Sequence, residues 1–410
     1  MKATVELVST GAELLSGRTL NTHTQTLARY LAELGLELSR ETSAPDDRIA
    51  IRDAVRDALA RASVVIVTGG LGPTSDDVTR DAVAEVVGAE IVLHAATREA
   101  IRQRYERTNR IWSEKVSRHA LVLSSADVLE NRAGLAPGEA IEWQGRRLFL
   151  LPGPPNEFEA VLQDHVMPRL KAVADVLPLQ RVFQVAGLGE SDIVRLLPEE
   201  EFPGPDVSVA YCASPGLVEI RLSALPSAAA VHARAVALVR ERLGEWVFAE
   251  QRVDLETVVV EALRAAGKTV ALAESCTGGL LGHRLTNVTG SSEVFLGGIV
   301  AYANASKIRD LGVPADLLER EGAVSPEVAI AMAKGVRARF GSDLGVGVTG
   351  IAGPGGGTPQ KPVGLVYLSV ADEAGAKVEE MRMGGPRATI KQTTSQRALD
   401  MVRRCVAAVH

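Results

Sequence analysis

Two stretches of the chain share one pattern, an apolar run that ends in consecutive glycines and leads straight into a helical segment. They are SVVIVTGGLGPTSDD, ending at Asp77, and KTVALAESCTGGLLG, beginning at Lys268. An apolar run of this length, without polar alternation, belongs to a strand buried on both faces, and helices on either side are what bury it. Glycines at its end allow a sharp turn and bring backbone N–H groups close to whatever occupies the turn. The chain is therefore expected to contain α/β sheets whose strand ends carry the chemistry.

The surrounding pattern agrees. VELVS reads as a strand, NTHTQTLARYLAELG and DRIAIRDAVRDALAR as helices, with Asn21 placed to cap the first, and RRLFLLPGPPNEF as a strand entering a turn. DDVTRDAVAEVVG reads as a helix opening on acids and closing at Gly88. From about residue 171 the order changes to strand (QRVFQVAG), helix (ESDIVRLL), two strands (VSVAYC and LVEIRLSA) and helix, the signature of a small α+β module. AEQRVDL reads as a linker, after which LETVVVEALRAAGKTVALAES restarts the α/β alternation. The expected domains are 1–170, 171–252 and 253–410, consistent with a length of 410 residues.

Charge narrows the function. With 45 basic against 51 acidic residues, well mixed and net −6, the chain presents no basic stripe for nucleic acid or an anionic membrane. Cys212, Cys276 and Cys405 have no metal-ligand spacing, which fits a reduced interior, and no apolar run is long enough to span a membrane. The expectation is a cytoplasmic protein acting on small molecules.

In the first glycine turn, Gly69, Gly70, Gly72 and Pro73 can cradle a phosphate, and Asp76 with Asp77 either cap the following helix or hold a divalent cation. In the second, Gly278 and Gly279 aim backbone amides at the space beside Ser275. A serine nucleophile needs a base. His283 lies two helical turns away, so Lys307 in GGIVAYANASKIRDLG fits best, because a buried lysine is readily neutral. The alternatives are a surface lysine at 307 and a thiol nucleophile at Cys276. GVGVT followed by GIAGPGGG, which includes Thr349, Gly350 and Gly353, forms another glycine loop, either a phosphate cradle with Arg387 or a mobile turn. Ser325 before Pro326 reads as a helix cap.

STGAELLSGRTLNTHTQTLARYLAELG, TGGLGPTSDDVTR and LPGPPNEF together resemble the amino-terminal half of the competence/damage-inducible CinA family, a domain similar to molybdopterin-binding domains. AESCTGG, TGSSEVFLGGIVAYANASK, GAVSPEVAIAMAKGV, GIAGPGGG and GGPRATIK resemble that family's carboxy-terminal nicotinamide mononucleotide (NMN) amidohydrolase domain, PncC. The resemblance implies two three-layer α/β domains joined by a KH-like or ferredoxin-like module. It implies hydrolysis of the NMN carboxamide without a metal, by Ser275 and Lys307 assisted by Tyr302 and Thr277, with Ser291 or Ser292 relaying a proton. For the amino-terminal domain it implies ADP-ribose pyrophosphatase activity with Mg, Mn or Co. There the glycines hold the diphosphate, Asp76, Asp77 and Asp46 serve the metal or water, Asn21 contacts the nucleotide, and Glu157 remains usable although LPGPPNEF departs from the common LPGVPxEM. A homodimer is expected.

In the middle module GLGE (187–190) has the first glycine of an RNA-clamping GxxG loop, but Glu190 and Asp192 follow, so a spacer or dimerisation role is expected. The competing class is a regulatory protein of DNA uptake or repair that holds a nucleotide or pterin.

Overall fold

The structure, a computed structural model, describes residues 3–172, 174, 176–202 and 204–407. The described chain divides into two units, residues 1–178 and 179–410, and the last three residues of the expected third domain lie outside the described ones.

In the first unit, β1 (Val5–Thr10), β2 (Leu38–Ala44), β3 (Val64–Thr68), β6 (Asp127–Leu129), β7 (Gly138–Trp143) and β8 (Arg146–Leu151) form one sheet in the order β2-β1-β3-β8-β7-β6; β4 (Ile91–Leu93) and β5 (Leu121–Leu123) make a separate ribbon. The first four strands of that order are parallel and the last two antiparallel. Every residue of β1 and β3 is buried, including Glu6 of β1, whose carboxylate accepts from Arg61. Leu27 and Leu31 of the helix His23–Glu33 pack on one face with Phe149 and Phe158, and Ile51, Val55 and Leu59 of the helix Arg48–Arg61 pack on the other. Asp47 starts this second helix by accepting from the Ala50 N–H at 2.9 Å. The helix expected from Asp76 begins at Thr79 instead. Asp77 is used earlier, accepting from both the N–H and the hydroxyl of Thr74, which closes a tight turn ahead of the helix.

The second unit contains two sheets. β9 (Leu179–Ala186), β10 (Val207–Ser214), β11 (Leu217–Ala224) and β12 (Val247–Ala249) form an antiparallel sheet in the order β10-β11-β9-β12. β13 (Val270–Glu274), β14 (Phe295–Val300), β15 (Leu344–Gly350), β16 (Leu365–Ala371) and β17 (Ala376–Arg382) follow in the order β14-β13-β15-β16-β17, with the first three parallel. Gly345 and Gly347 let the helix Pro326–Phe340 lie directly on β15, because a Cβ at either position would strike the backbone of Ala333 or Ala329. Ser325 caps that helix through the Val328 N–H, as its sequence suggests.

The segment that reads as a linker is fastened. β12 ends on its first residue, Ala249, and Arg252 grips Glu219 of β11 with two hydrogen bonds of 2.8 and 3.0 Å. Burial alone would raise the Glu219 pKa, but the bonds from Arg252, Arg221 and Gln184 outweigh it and hold the carboxyl down at about 2. The last helix, Arg387–Ala407, also joins the two sheets. Its Asp400 is fully buried and accepts from Arg397, Arg403 and Arg404, whose guanidinium groups continue to Glu379, to the Glu245 carbonyl and to the Glu245 carboxylate. Trp246 lies beneath Arg404, 4.4 Å from ring centroid to guanidinium carbon. No helix among the described residues is long and apolar enough to cross a membrane.

Removing Asp400 leaves three clustered arginines with less counter-charge, so Asp400→Ala is expected to destabilise the second unit by about 3–5 kcal/mol. A urea titration followed by circular dichroism checks this; a shift under about 1 kcal/mol would show that the cluster is not what fastens the helix.

Candidate functional sites

The two glycine turns border equivalent crevices from different strands, the first following β3 and the second following β13. From β1 the chain moves outward to β2 and then returns to β3 on the other side; from β13 it moves to β14 and returns to β15. The carboxyl ends of β1 and β13 are thus topological switch points, where the connecting segments diverge and leave a crevice.

Ser275 follows Glu274, the last residue of β13, and its N–H is bonded to the Val348 carbonyl of β15. Lys307 lies on the helix Asn304–Leu311 just beyond β14. Its amine is 3.2 Å from Ser275 Oγ, 2.9 Å from the Ala301 carbonyl and 3.4 Å from the Tyr302 carbonyl. The residue is 1% exposed and, among the described residues, faces no carboxylate at ion-pair distance. Burial pulls the Lys307 pKa below the ordinary lysine value, against a smaller opposing influence from the Cys276 sulfur.

The turn itself is built around Glu274, a residue whose role the sequence reading missed. Its buried carboxylate accepts from the N–H groups of Gly279 and Gly282 at 2.9 Å and Leu281 at 3.2 Å, capping the short helix that follows. Gly278 and Gly279 both adopt left-handed backbone (φ 64° and 94°), which lets the chain double back over that carboxylate. This corrects their expected role. The Gly278 N–H is bonded to the Ser275 carbonyl and that of Gly279 to Glu274, so the amides left unused next to Ser275 are those of Cys276 and Thr277. The Thr277 hydroxyl is buried with no partner among the described residues.

Cys276 is buried, and burial pushes its thiol up to about 12, so it is a protonated thiol at neutral pH rather than a nucleophile. Tyr302 is exposed, and its hydroxyl accepts from Arg387 at 3.0 Å while Arg387 also donates to the Gly353 carbonyl at 2.8 Å. Tyr302, Arg387 and the 350–357 loop are therefore joined beside Lys307. Thr349 turns away, donating its hydroxyl to the Ala323 carbonyl at 2.6 Å. Gly350 is a packing requirement, since a Cβ there would meet Val366 and the Leu365 carbonyl.

Ser291 and Ser292 cannot relay a proton. They precede β14, whose Phe295 pairs with Val270 at the start of β13, whereas Ser275 follows the Glu274–Val300 pair at the other end. Five residues of extended strand separate the two ends by about 16 Å.

In the first unit the turn after β3 borders a cavity of about 540 Å³. Gly69, Gly70, Gly72, Asp46, Asp76, Asp77 and Glu157 line it, as expected, but Asn21 and Pro73 do not. The Asn21 side chain donates to Ser9 Oγ and Glu41 Oε1 and accepts the His23 N–H, so it holds the entry to its helix rather than a ligand. Asp46 accepts the Ala12 N–H. Hydrogen bonding to Thr74 holds the Asp76 carboxyl below the usual carboxylate range. Among the described residues no three His, Cys, Asp or Glu side chains gather closely enough to form a metal cage, so Asp46, Asp76 and Asp77 do not make one by themselves. The wall also contains His23 and His119, which the sequence reading overlooked, and no lysine or arginine. His119 Nδ1 lies 3.0 Å from the Val116 carbonyl, which only accepts, so Nδ1 is the donor of that bond.

Three family models match successive parts of the chain. Residues 6–172 match a family described as "Probable molybdopterin binding domain", 180–249 the damage-inducible protein CinA KH domain, and 252–406 the CinA C-terminal domain. A CinA-like protein of Kosmotoga olearia is 41% identical over 99% of both chains. The chain belongs to the CinA family. A CinA-like protein of Gemmatimonas aurantiaca is 40% identical, covering 98% of this chain and 96% of its own. A crystal structure of a competence/damage inducible protein from Agrobacterium tumefaciens is 41% identical over 37% of this chain and 93% of its own, with a TM-score of 0.36. The family assignment accounts for the architecture of two α/β domains with a KH module between them in sequence.

With its thiol pKa near 12, Cys276 is expected to resist iodoacetamide in the native protein at pH 7.5 while the exposed Cys212 is labelled. Mass spectrometry of the labelled protein checks this; comparable labelling of both would mean that the Cys276 environment is not the buried one described.

Proposed function

We propose that the second unit is a serine amidohydrolase that converts the carboxamide of NMN to a carboxylate, releasing ammonia. The observation that carries this reading is the buried Lys307 amine beside Ser275 Oγ. A neutral amine has two N–H bonds and one lone pair. The carbonyls of Ala301 and Tyr302 take the two N–H bonds, which leaves the lone pair for the Ser275 hydroxyl proton.

As Lys307 takes that proton, Ser275 Oγ bonds to the carboxamide carbon and the carbonyl electrons move onto oxygen, toward the Cys276 and Thr277 amides. Collapse of this intermediate breaks the C–N bond, and the departing nitrogen receives the proton from Lys307 and leaves as ammonia. Lys307 then deprotonates a water, whose oxygen adds to the ester. Loss of Ser275 Oγ, which recovers its proton, frees the carboxylate product. Arg387, fixed between Tyr302 and the 350–357 loop, is suited to the 5′-phosphate of the mononucleotide.

For the first unit we propose a second activity, hydrolysis of the ADP-ribose pyrophosphate. Glu13, Asp46, Asp76, Asp77 and Glu157 line its cavity without a lysine or arginine, so a diphosphate needs a cation to enter. Asp76 and Asp77 would hold a divalent ion whose remaining ligands are phosphate oxygens and water, an arrangement that needs no full protein cage. Such an ion would offset charge on the phosphates.

Purified protein is expected to release ammonia from NMN, with Ser275→Ala and Lys307→Ala each losing at least about 10³-fold in kcat and Cys276→Ala staying within about threefold. A regulatory binding protein would return NMN intact. Because the base is neutral lysine, kcat/KM should rise with pH through the lowered Lys307 pKa and then level off. A flat profile, or activity retained in Lys307→Arg, would remove lysine from the role of base. For the first unit, AMP and ribose 5-phosphate should form from ADP-ribose only with a divalent metal, and failure in the presence of Mg, Mn and Co would sink the second activity.

A further inference from the structure

His23 opens the helix His23–Glu33 and lines the first unit's cavity. Its ring lies against Phe158, with centroids 4.4 Å apart; both ring nitrogens are shielded from solvent, and neither reaches good hydrogen-bond geometry with a described residue, although the Gly153 backbone is near enough to act on the ring. A buried polar group left this way costs on the order of 1–3 kcal/mol, so an imidazole with two such atoms is a poor choice for packing alone. The neighbouring position supplies no structural use either, since Asn21 already secures the helix entry through the His23 backbone N–H.

We propose that His23 is a specificity-determining residue of this cavity and hydrogen-bonds a sugar hydroxyl of the ligand. Three observations select that class. A hydroxyl both donates and accepts, matching an imidazole with one N–H and one lone pair. The carboxylates lining the cavity accept hydrogen bonds and repel phosphate, so they too suit hydroxyl groups better than an unaccompanied anion. Burial lowers the His23 pKa, against a smaller opposing effect of the Gly153 backbone, which keeps the ring neutral and removes the charge that would favour a phosphate. This inference rests on the reading of the cavity as a site for a sugar nucleotide.

The test is calorimetry on the full chain with Mg²⁺, using ADP-ribose and inorganic pyrophosphate as probes. His23→Ala is expected to bind ADP-ribose about tenfold more weakly, with pyrophosphate affinity within twofold of the original. His23→Asn, which retains a donor and an acceptor, should recover most of the loss. Unchanged ADP-ribose binding in His23→Ala, or an equal loss for both probes, would overturn the proposal. If the unsubstituted protein binds pyrophosphate but not ADP-ribose, the sugar-nucleotide reading fails and takes this inference with it. A ligand-free measurement stands apart from both. Thermal unfolding of His23→Leu should occur at an equal or higher Tm, because the imidazole nitrogens make no well-formed hydrogen bond in the free protein; a fall of more than about 5 °C would assign His23 to the fold and overturn the proposal.

Discussion

A carboxylate buried at the end of a strand must be satisfied, and Glu274 is satisfied by three backbone N–H groups of the turn it precedes. That constraint fixes the path of residues 275–282. It requires two successive left-handed residues, supplied by Gly278 and Gly279, and it draws the start of the next helix back over the end of β13. Ser275 is then held between the β15 carbonyl that binds its N–H and the lysine that meets its hydroxyl. The glycines serve the carboxylate first, and any ligand contact in this turn falls to the residues before them.

Much of this was legible in the sequence. Apolar runs such as VVIVT and VALAE announce strands covered on both faces, and the Ser275–Lys307 pairing follows once a serine is seen to need a base that no histidine nearby can provide. What stayed hidden depends on register and on direction. The family resemblance implied a relay through Ser291, yet parallel pairing of β13 and β14 sends it to the opposite end of the sheet. Asn21 looked like a ligand residue until its amide was found turned toward Ser9 and Glu41. Glu274, His23 and His119 escaped for the converse reason. An isolated Glu or His is uninformative until the fold shows whether its polar atoms have partners, although an acid in the final position of an otherwise apolar strand was a usable signal.

The middle module shows how little of a loop's meaning lies in its residues alone. GLGE has a glycine where an RNA-clamping loop would, but Gly187 lies against Arg397 and Trp246, and the crevice beside it has carboxylates (Glu190, Glu379 and Glu380) as well as Arg382 and Arg397 in its lining. The loop is committed to the carboxy-terminal sheet through the arginines around Asp400. The same helix that closes the carboxy-terminal domain's core therefore carries the attachment of the module, and its opening residue, Arg387, touches Tyr302. One rigid element connects the proposed substrate phosphate position to the interface between the two sheets.

The position of Cys276 has a consequence for the conditions under which such a site can work. Peroxides and disulfides attack thiolates, and a thiol kept protonated in an apolar pocket gives them almost nothing to react with. The neighbouring hydroxyl proposed as nucleophile and the amine proposed to activate it have no comparable oxidised forms under cellular conditions. Chemistry resting on Ser275 and Lys307 therefore continues unchanged while the redox poise around the protein swings, with a sulfur atom one residue from the reacting hydroxyl taking no part.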